Sequence, residues 1–143
     1  MRMLVKCSVS GNIFPSDYRL VFISLIKAGL TRFHDGVYLR EIFPAGVPRK
    51  KPYTFSVGMP SGTVWAGDHF TLGDGGVVTL LLSSGDTRIF LILCRAFQAL
   101  RNYIHPLKGG AALRVTRIVP VKEQTILGDK ILVNFLSPLC IRE

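Results

Sequence analysis

Three consecutive cations, Arg49, Lys50 and Lys51, sit between Pro48 and Pro52. Each proline fixes its own φ and pushes the residue before it toward extended geometry, so this segment is a loop and not a helix. Directly behind it, Tyr53, Phe55 and Val57 alternate with Thr54, Ser56 and Gly58, the period-two pattern of a half-buried strand. A rigid strand therefore delivers a basic loop beside the polar end of the preceding helix. That arrangement suits gripping and polarising a phosphate. A solvated basic turn is the plain alternative.

Lys27, Arg88 and Arg95 are further candidates for anion chemistry. Lys27 falls near the C-terminal end of an amphipathic stretch, on its polar side with Ser24 and Thr31. The helix dipole alone makes a cation favourable there. Arg88 and Arg95 are seven residues apart and share one helical face. Such a face suits a phosphate backbone, with plain solvation as the alternative. Cys7, Cys94 and Cys140 lie far apart without a C-x-x-C pair. Neither a zinc knuckle nor a disulfide framework is credible, which leaves buried, reduced thiols. Asp, Glu, His and Cys show no clustering at metal-ligand spacing, so no metal and no other cofactor is expected.

The chain that must position these residues has 143 residues, 48% hydrophobic and 19% charged, and so forms a globular domain able to bury a core. Its net charge of +9 and pI of about 10.0 select polyanionic partners, nucleic acid ahead of anionic membrane. No apolar run approaches the ~20 residues of a spanning helix. The longest, Ile89 to Cys94, is flanked by Arg88 and Arg95. Met1 to Ser10 is too short and too regularly alternating for a signal peptide, so a cytoplasmic location and no membrane partner are expected.

In chain order, Leu4 to Val9 predict a strand, and Ser16 or Asp17 is placed to cap a helix over 17–31. Tyr18, Phe22, Leu25, Ile26 and Gly29 mark its apolar side. Residues 32–47 form a long connection with one short helical turn, holding His34, Asp35, Tyr38, Arg40 and Glu41. Long ordered loops are more often functional than short ones. After the strand at 53–58 a hairpin is predicted, with arms 67–72 and 77–83 joined through Gly73-Asp74-Gly75-Gly76. Those glycines are turn residues, because no helix opening with Gly-Lys-Ser/Thr follows them. Asp86 caps a second helix over 86–104, and strands follow at 112–121 and 130–136. This β-α-β-β-α-β order predicts an α+β, ferredoxin-like fold: an antiparallel sheet with two helices on one face, plus an extra hairpin. The open face of such a sheet binds RNA in RRM domains, but the RNP1 consensus is absent, so this is no ordinary RRM.

Several segments together resemble one family. They are the opening Met-Arg-x-Leu-Val-Lys, Pro15-Ser16-Asp17-Tyr18-Arg19 leading to Ser24-Leu25-Ile26, Tyr38-Leu39-Arg40-Glu41, and Lys51-Pro52-Tyr53-Thr54-Phe55-Ser56. The most specific is Val133-Asn134-Phe135-Leu136-Ser137-Pro138-Leu139. In this order and spacing the chain resembles the CRISPR-associated endoribonuclease of the Cas-six family, in the RAMP superfamily, which cuts the precursor repeat transcript. Members typically have two ferredoxin-like domains, and this chain resembles the first. Residues 1–136 would then be a ferredoxin-like RNA-binding domain, and 137–143 a linker or tail toward a second domain absent from this chain. Gly109-Gly110, before an internal strand, does not substitute for the Gly-rich loop of that second domain.

The resemblance implies metal-independent cleavage. A 2′-hydroxyl attacks the adjacent phosphate and leaves a 2′,3′-cyclic phosphate and a 5′-hydroxyl, which needs a base, an acid and a cation for the developing charge. The late-helix position of the family matches Lys27, and the cation before the second strand matches Lys51, with Lys50 beside it. The family's usual histidine falls on Arg40, and guanidinium cannot act as a base near neutral pH. His34, six residues earlier, is the remaining histidine of that region and reads first as a capping or surface residue. His69 and His105 have no feature that promotes them. The expected catalytic set is thus Lys27 and Lys51, with His34 behind them. The RNA-binding set is Arg49, Lys50, Lys51, Arg40, Arg88 and Arg95. The expected partners are CRISPR repeat RNA and other CRISPR-associated proteins, and the tail makes a homodimer a further assembly to test. Two alternatives stand beside this reading: a catalytically inactive RNA-binding subunit, and a ferredoxin-like interaction or regulatory domain whose charge is incidental.

Overall fold

The computed structural model describes residues 1–46, 51–122 and Gly128. Strand β1 (Arg2–Ser10) contains the expected strand and alternates regularly, with Met3, Val5, Cys7 and Val9 buried on one face. A short strand β2 (Ile13–Pro15) precedes helix α1 (Tyr18–Arg32), which buries Phe22, Leu25, Ile26, Gly29 and Leu30 along one stripe. A 3-10 turn at His34–Gly36 leads into the short helix α2 (Val37–Ile42). Then come β3 (Thr54–Gly58), β4 (Val64–Trp65), β5 (His69–Thr71) and β6 (Val77–Ser83). Helix α3 (Thr87–Gln98), β7 (Ile104–Pro106) and β8 (Ala112–Val121) complete the described elements.

The main sheet has the order β3-β6-β1-β8-β7, and all its pairings are antiparallel. Apart from the edge strand β7, this is the ferredoxin-like arrangement, with the α1 and α3 crossovers packed on one face. Val5 pairs with Leu80 across β1 and β6, so the buried rows of neighbouring strands fall on one side of the sheet. Helices α1 and α3 meet closely at Gly29, where an added Cβ would lie 2.8 Å from the Ala96 carbonyl oxygen. This absence of a side chain sets how deep α1 sits, and with it the position of Lys27 two residues earlier. No helix among the described residues is long and apolar enough to cross a membrane.

Four details differ from the sequence expectation. The extra hairpin is not 67–72 with 77–83. Strand β5 pairs with β2 and β4 in a separate three-stranded sheet, while β6 joins β1 and β3 in the main one. A buried row of Val78, Leu80 and Leu82 can be satisfied only at the sheet centre, which a two-residue turn signal does not reveal. Helix α3 ends at Gln98 rather than 104, because Leu100, Arg101 and Tyr103 tighten into i→i+3 turns and Ile104–Pro106 pairs with β8. Asp17 does begin α1, but its carboxylate accepts from Lys108 Nζ at 2.9 Å and does not cap the helix. Cys94 is only half-buried, unlike Cys7, whose thiol burial pushes up to about 12; both are free. Asp86 caps α3 as expected, its Oδ1 accepting from Ile89 N at 3.1 Å. The expected strand at 130–136, the tail at 137–143 and Cys140 lie outside the described residues.

His105 provides a handle on stability. It is buried in β7, and its Nδ1 has no hydrogen-bond partner among the described residues. Burial lowers its pKa below the ordinary 6.5. The unfolded chain therefore takes up the proton first, so the stability linked to His105 is complete well above pH 6.5 and declines as pH falls toward the depressed folded value. The melting temperature is expected to drop between pH 7 and pH 5, and His105→Leu to flatten that decline. An identical decline in the variant would assign it to other groups.

Candidate functional site

Helix α1 presents Arg19, Ile23 and Lys27 at intervals of four residues, one row along a single face. This row forms one wall of a pocket of about 480 Å³. Phe43, just past α2, and Lys51, Tyr53, Thr54 and Phe55, at the entry to β3, complete it. The sequence folds this way because the stripe Phe22, Leu25, Ile26 and Gly29 turns into the core, with Gly29 against α3, and leaves the Arg19–Lys27 row facing out.

Phe43 organises the cations. Lys27 Nζ lies 5.0 Å and Lys51 Nζ 4.3 Å from its ring centroid, both within cation–π range. Lys51 Nζ also donates to the Ile42 carbonyl at 3.2 Å. That carbonyl belongs to the last residue of α2, where a helix end leaves acceptors unpaired and a cation is favoured. Behind the cations, Phe43 and Tyr53 pack at 6.4 Å, Tyr53 and Phe55 at 6.5 Å, and Phe55 rests on buried Phe22 at 6.5 Å. Burial pushes the Tyr53 phenol up to about 12. It is therefore a neutral hydroxyl at ordinary pH, able to donate a hydrogen bond but not to act as a base.

A second, smaller pocket of about 230 Å³ shares Lys51, Tyr53 and Thr54 with the first and adds Ser83, Ser84 and Gly85. The Thr54 and Ser83 hydroxyls are 2.8 Å apart, and Ser84 Oγ donates to the Pro52 carbonyl at 2.7 Å. These bonds tie the segment just after Lys51 to the end of β6 and so fix where that lysine emerges.

Of the residues singled out from sequence, Lys27 and Lys51 come together. His34 does not join them. It is exposed, adopts a positive φ of 48°, and packs edge-on against Phe33 at 4.8 Å. Arg40 is exposed on α2, away from the pocket lining. Arg88 grips Glu41 with both terminal nitrogens, which holds the Glu41 carboxyl below its usual range and ties α2 to the start of α3. Arg95 donates to Gln98 at 3.2 Å. Arg49 and Lys50 lie outside the described residues. Sequence reasoning missed Arg19 and Phe43. The i, i+8 spacing of Arg19 and Lys27 was a usable signal for the first, whereas nothing local marks Phe43. Among the described residues the lining contains no imidazole and no carboxylate. Among the described residues no three His, Cys, Asp or Glu side chains gather as a metal site would require. What the pocket offers is two ammonium groups, a guanidinium, a neutral phenol and a threonine hydroxyl over an apolar floor. That set can neutralise and hydrogen-bond a phosphodiester.

No family model and no curated protein matches this chain. Solved structures do. A RAMP protein binding different RNA substrates superposes with a TM-score of 0.69 at 18% identity, over 88% of this chain and 50% of that one. A Cas6-related protein from Pyrococcus furiosus gives 0.64 at 17% identity, over 88% and 49%. A CRISPR-associated protein Cas6 gives 0.58 at 16% identity, over 87% and 50%. The fold is Cas6-like, and the chain spans about half the length of these structures.

Proposed function

We propose that this chain binds CRISPR repeat RNA and takes part in its processing by metal-independent endonucleolytic cleavage at the pocket between α1 and β3. One observation carries the reading: Lys27 and Lys51, from separate elements of a Cas6-like fold, converge on the two sides of one pocket around the Phe43 ring. In the proposed reaction the ribose 2′-oxygen bonds to the adjacent phosphorus, the P–O5′ bond breaks, and the 2′-hydroxyl proton passes to solvent. One lysine offsets the charge building on the phosphoryl oxygens, and the other donates a proton to the leaving 5′-oxygen. The products are a 2′,3′-cyclic phosphate and a 5′-hydroxyl. Arg49 and Lys50, adjoining Lys51 in the sequence, together with Arg40 and Arg95, are the further cations of the proposed RNA-binding set.

A second reading draws on the described lining residues, none of which carries an imidazole or a carboxylate. Without a side chain able to take the 2′-hydroxyl proton, the chain would hold repeat RNA inside a larger CRISPR assembly and leave cutting to a partner. Analysis of the RNA ends after incubation separates the two.

The test of RNA binding itself is the salt dependence of affinity for a single-stranded repeat RNA. Joint replacement of Arg49, Lys50 and Lys51 by Ala is expected to weaken binding. It should also lower the slope of log affinity against log salt by roughly two, the share of two to three phosphate contacts on a single strand. An unchanged slope would return the loop to a solvated turn.

A further inference from the structure

We infer that the pocket receives one unpaired nucleotide, with the phosphate on one side of it held by Lys27 and Lys51 and the phosphate on the other side held by Arg19. The inference rests on the RNA reading above and assigns Arg19 a role that cleavage chemistry alone does not require. Three observations lead to it.

The first is size. At about 480 Å³ the pocket falls within the range that encloses whole small ligands, and it is larger than a phosphate group needs. The second is its lining. With the cations the lining holds Ile23, Tyr53 and Phe55, a largely apolar and aromatic surface that a phosphate alone does not need. It offers a nucleobase or ribose a surface to lie against, and aromatic stacking of that kind tolerates any base. The third is the placing of charge. Arg19 precedes Lys27 by eight residues on α1, so the two project from one face about 12 Å apart along the axis. Side chains of that length, one at each end of the floor, can reach the two phosphates that bracket a single nucleotide.

The charge of Arg19 is also uncommitted. It is exposed and makes no hydrogen bond or ion pair among the described residues, and the neighbouring acid, Asp17, is taken by Lys108 at 2.9 Å. A guanidinium at the rim of an apolar pocket, with no acid among the described residues to neutralise it, is what an anionic ligand group would complete. A base held in a duplex is stacked between its neighbours and cannot lie on this floor. The Arg19 contact is therefore specific to single-stranded RNA, whereas the exposed cations elsewhere attract either form.

The full chain is tested with a short mixed-sequence single-stranded RNA and with the same sequence as a duplex, each across a salt series. For the single strand, Arg19→Ala is expected to weaken binding about three- to tenfold and to lower the log–log salt slope by roughly 0.7, one phosphate contact. Arg19→Lys should restore the slope. Ile23→Ser should weaken single-strand binding and leave the slope unchanged, because it removes floor and not charge. Duplex binding should be unaffected by Arg19→Ala. An unchanged single-strand slope in Arg19→Ala, or equal losses on single strand and duplex, would overturn the assignment. If Lys51→Ala also leaves the slope unchanged, the pocket itself is not the RNA site and the functional reading falls with the inference. Arg19→Ala without effect while Lys51→Ala has one removes only the second phosphate contact.

Discussion

Lys27→Ala and Lys51→Ala are each expected to slow cleavage of repeat RNA by roughly ten- to a thousand-fold in the presence of EDTA, the range of a single acid–base or electrostatic contribution. The two losses should differ. Lys27 meets Phe43 from an α1 position fixed by the Gly29–Ala96 contact, and its removal takes away charge and breaks no side-chain hydrogen bond among the described residues. Lys51 also donates to the Ile42 carbonyl at 3.2 Å, so its removal frees the end of α2 together with Phe43 beside it. The Lys51 variant should therefore lose more cleavage and more RNA affinity, whereas the Lys27 loss should fall mainly on the cleavage step. His34→Ala should change little, since that ring packs on Phe33 outside the pocket lining. If His34→Ala alone abolishes cleavage, the lysine assignment is wrong. If EDTA abolishes it, metal-independent chemistry is wrong. If wild type binds repeat RNA and leaves it intact, the chain is the inactive RNA-binding subunit.

Much of the fold was legible from two local patterns. The period-two burial of Met3, Val5, Cys7 and Val9, and the helical stripe from Phe22 to Leu30, each depend on one element and one face. What escaped is what depends on partners distant in sequence. The hairpin was placed wrongly because Gly73–Gly76 is a good turn between two strand-like runs, yet the choice of pairing partner belongs to the sheet. Gly73 shows the constraint: an added Cβ would collide with the Ser61 carbonyl oxygen, so it is a close-approach glycine and more than a turn residue. The end of α3 was overrun for a similar reason. The apolar spacing of Phe97 and Leu100 continues past the point where Ile104–Pro106 is claimed by β8.

The site divides along the same line. Lys27 could be placed on the polar face of α1, and Lys51 ahead of β3, from local pattern. That both approach one aromatic ring could not, because Phe43 comes from the long connection and is positioned by the hydrogen bond of its own N–H to Leu39 and by Tyr53. Arg88 shows the reverse. Its charge and helical face suggest a phosphate contact, and the fold adds a partner that no local pattern announces, Glu41 on α2. A basic face read from sequence counts charges before the fold has paired them.

Phe22→Ala should be the most damaging single substitution for stability, costing about 3–5 kcal/mol. The ring is fully buried and packs at 6.2 Å from Phe14 and 6.5 Å from Phe55. It thus joins α1, the small three-stranded sheet through β2, and the main sheet through β3. Truncation leaves a cavity among three elements, and none can close it alone: β2 is paired with β5, β3 with β6, and α1 is stopped at Gly29 by the Ala96 backbone. For a chain of this size the melting temperature should fall by roughly 10–15 °C. Phe22→Leu, which leaves most of the volume filled, should lose less than half as much. A Phe22→Ala loss below about 1 kcal/mol would mean that the site collapses freely and that the three-way contact is not what holds α1. The milder variant also reports on the pocket, because Phe55 is backed by Phe22 and forms part of its floor. Phe22→Leu should therefore weaken single-stranded RNA binding while leaving the salt slope unchanged, since the aromatic support shifts and Arg19, Lys27 and Lys51 keep their charge.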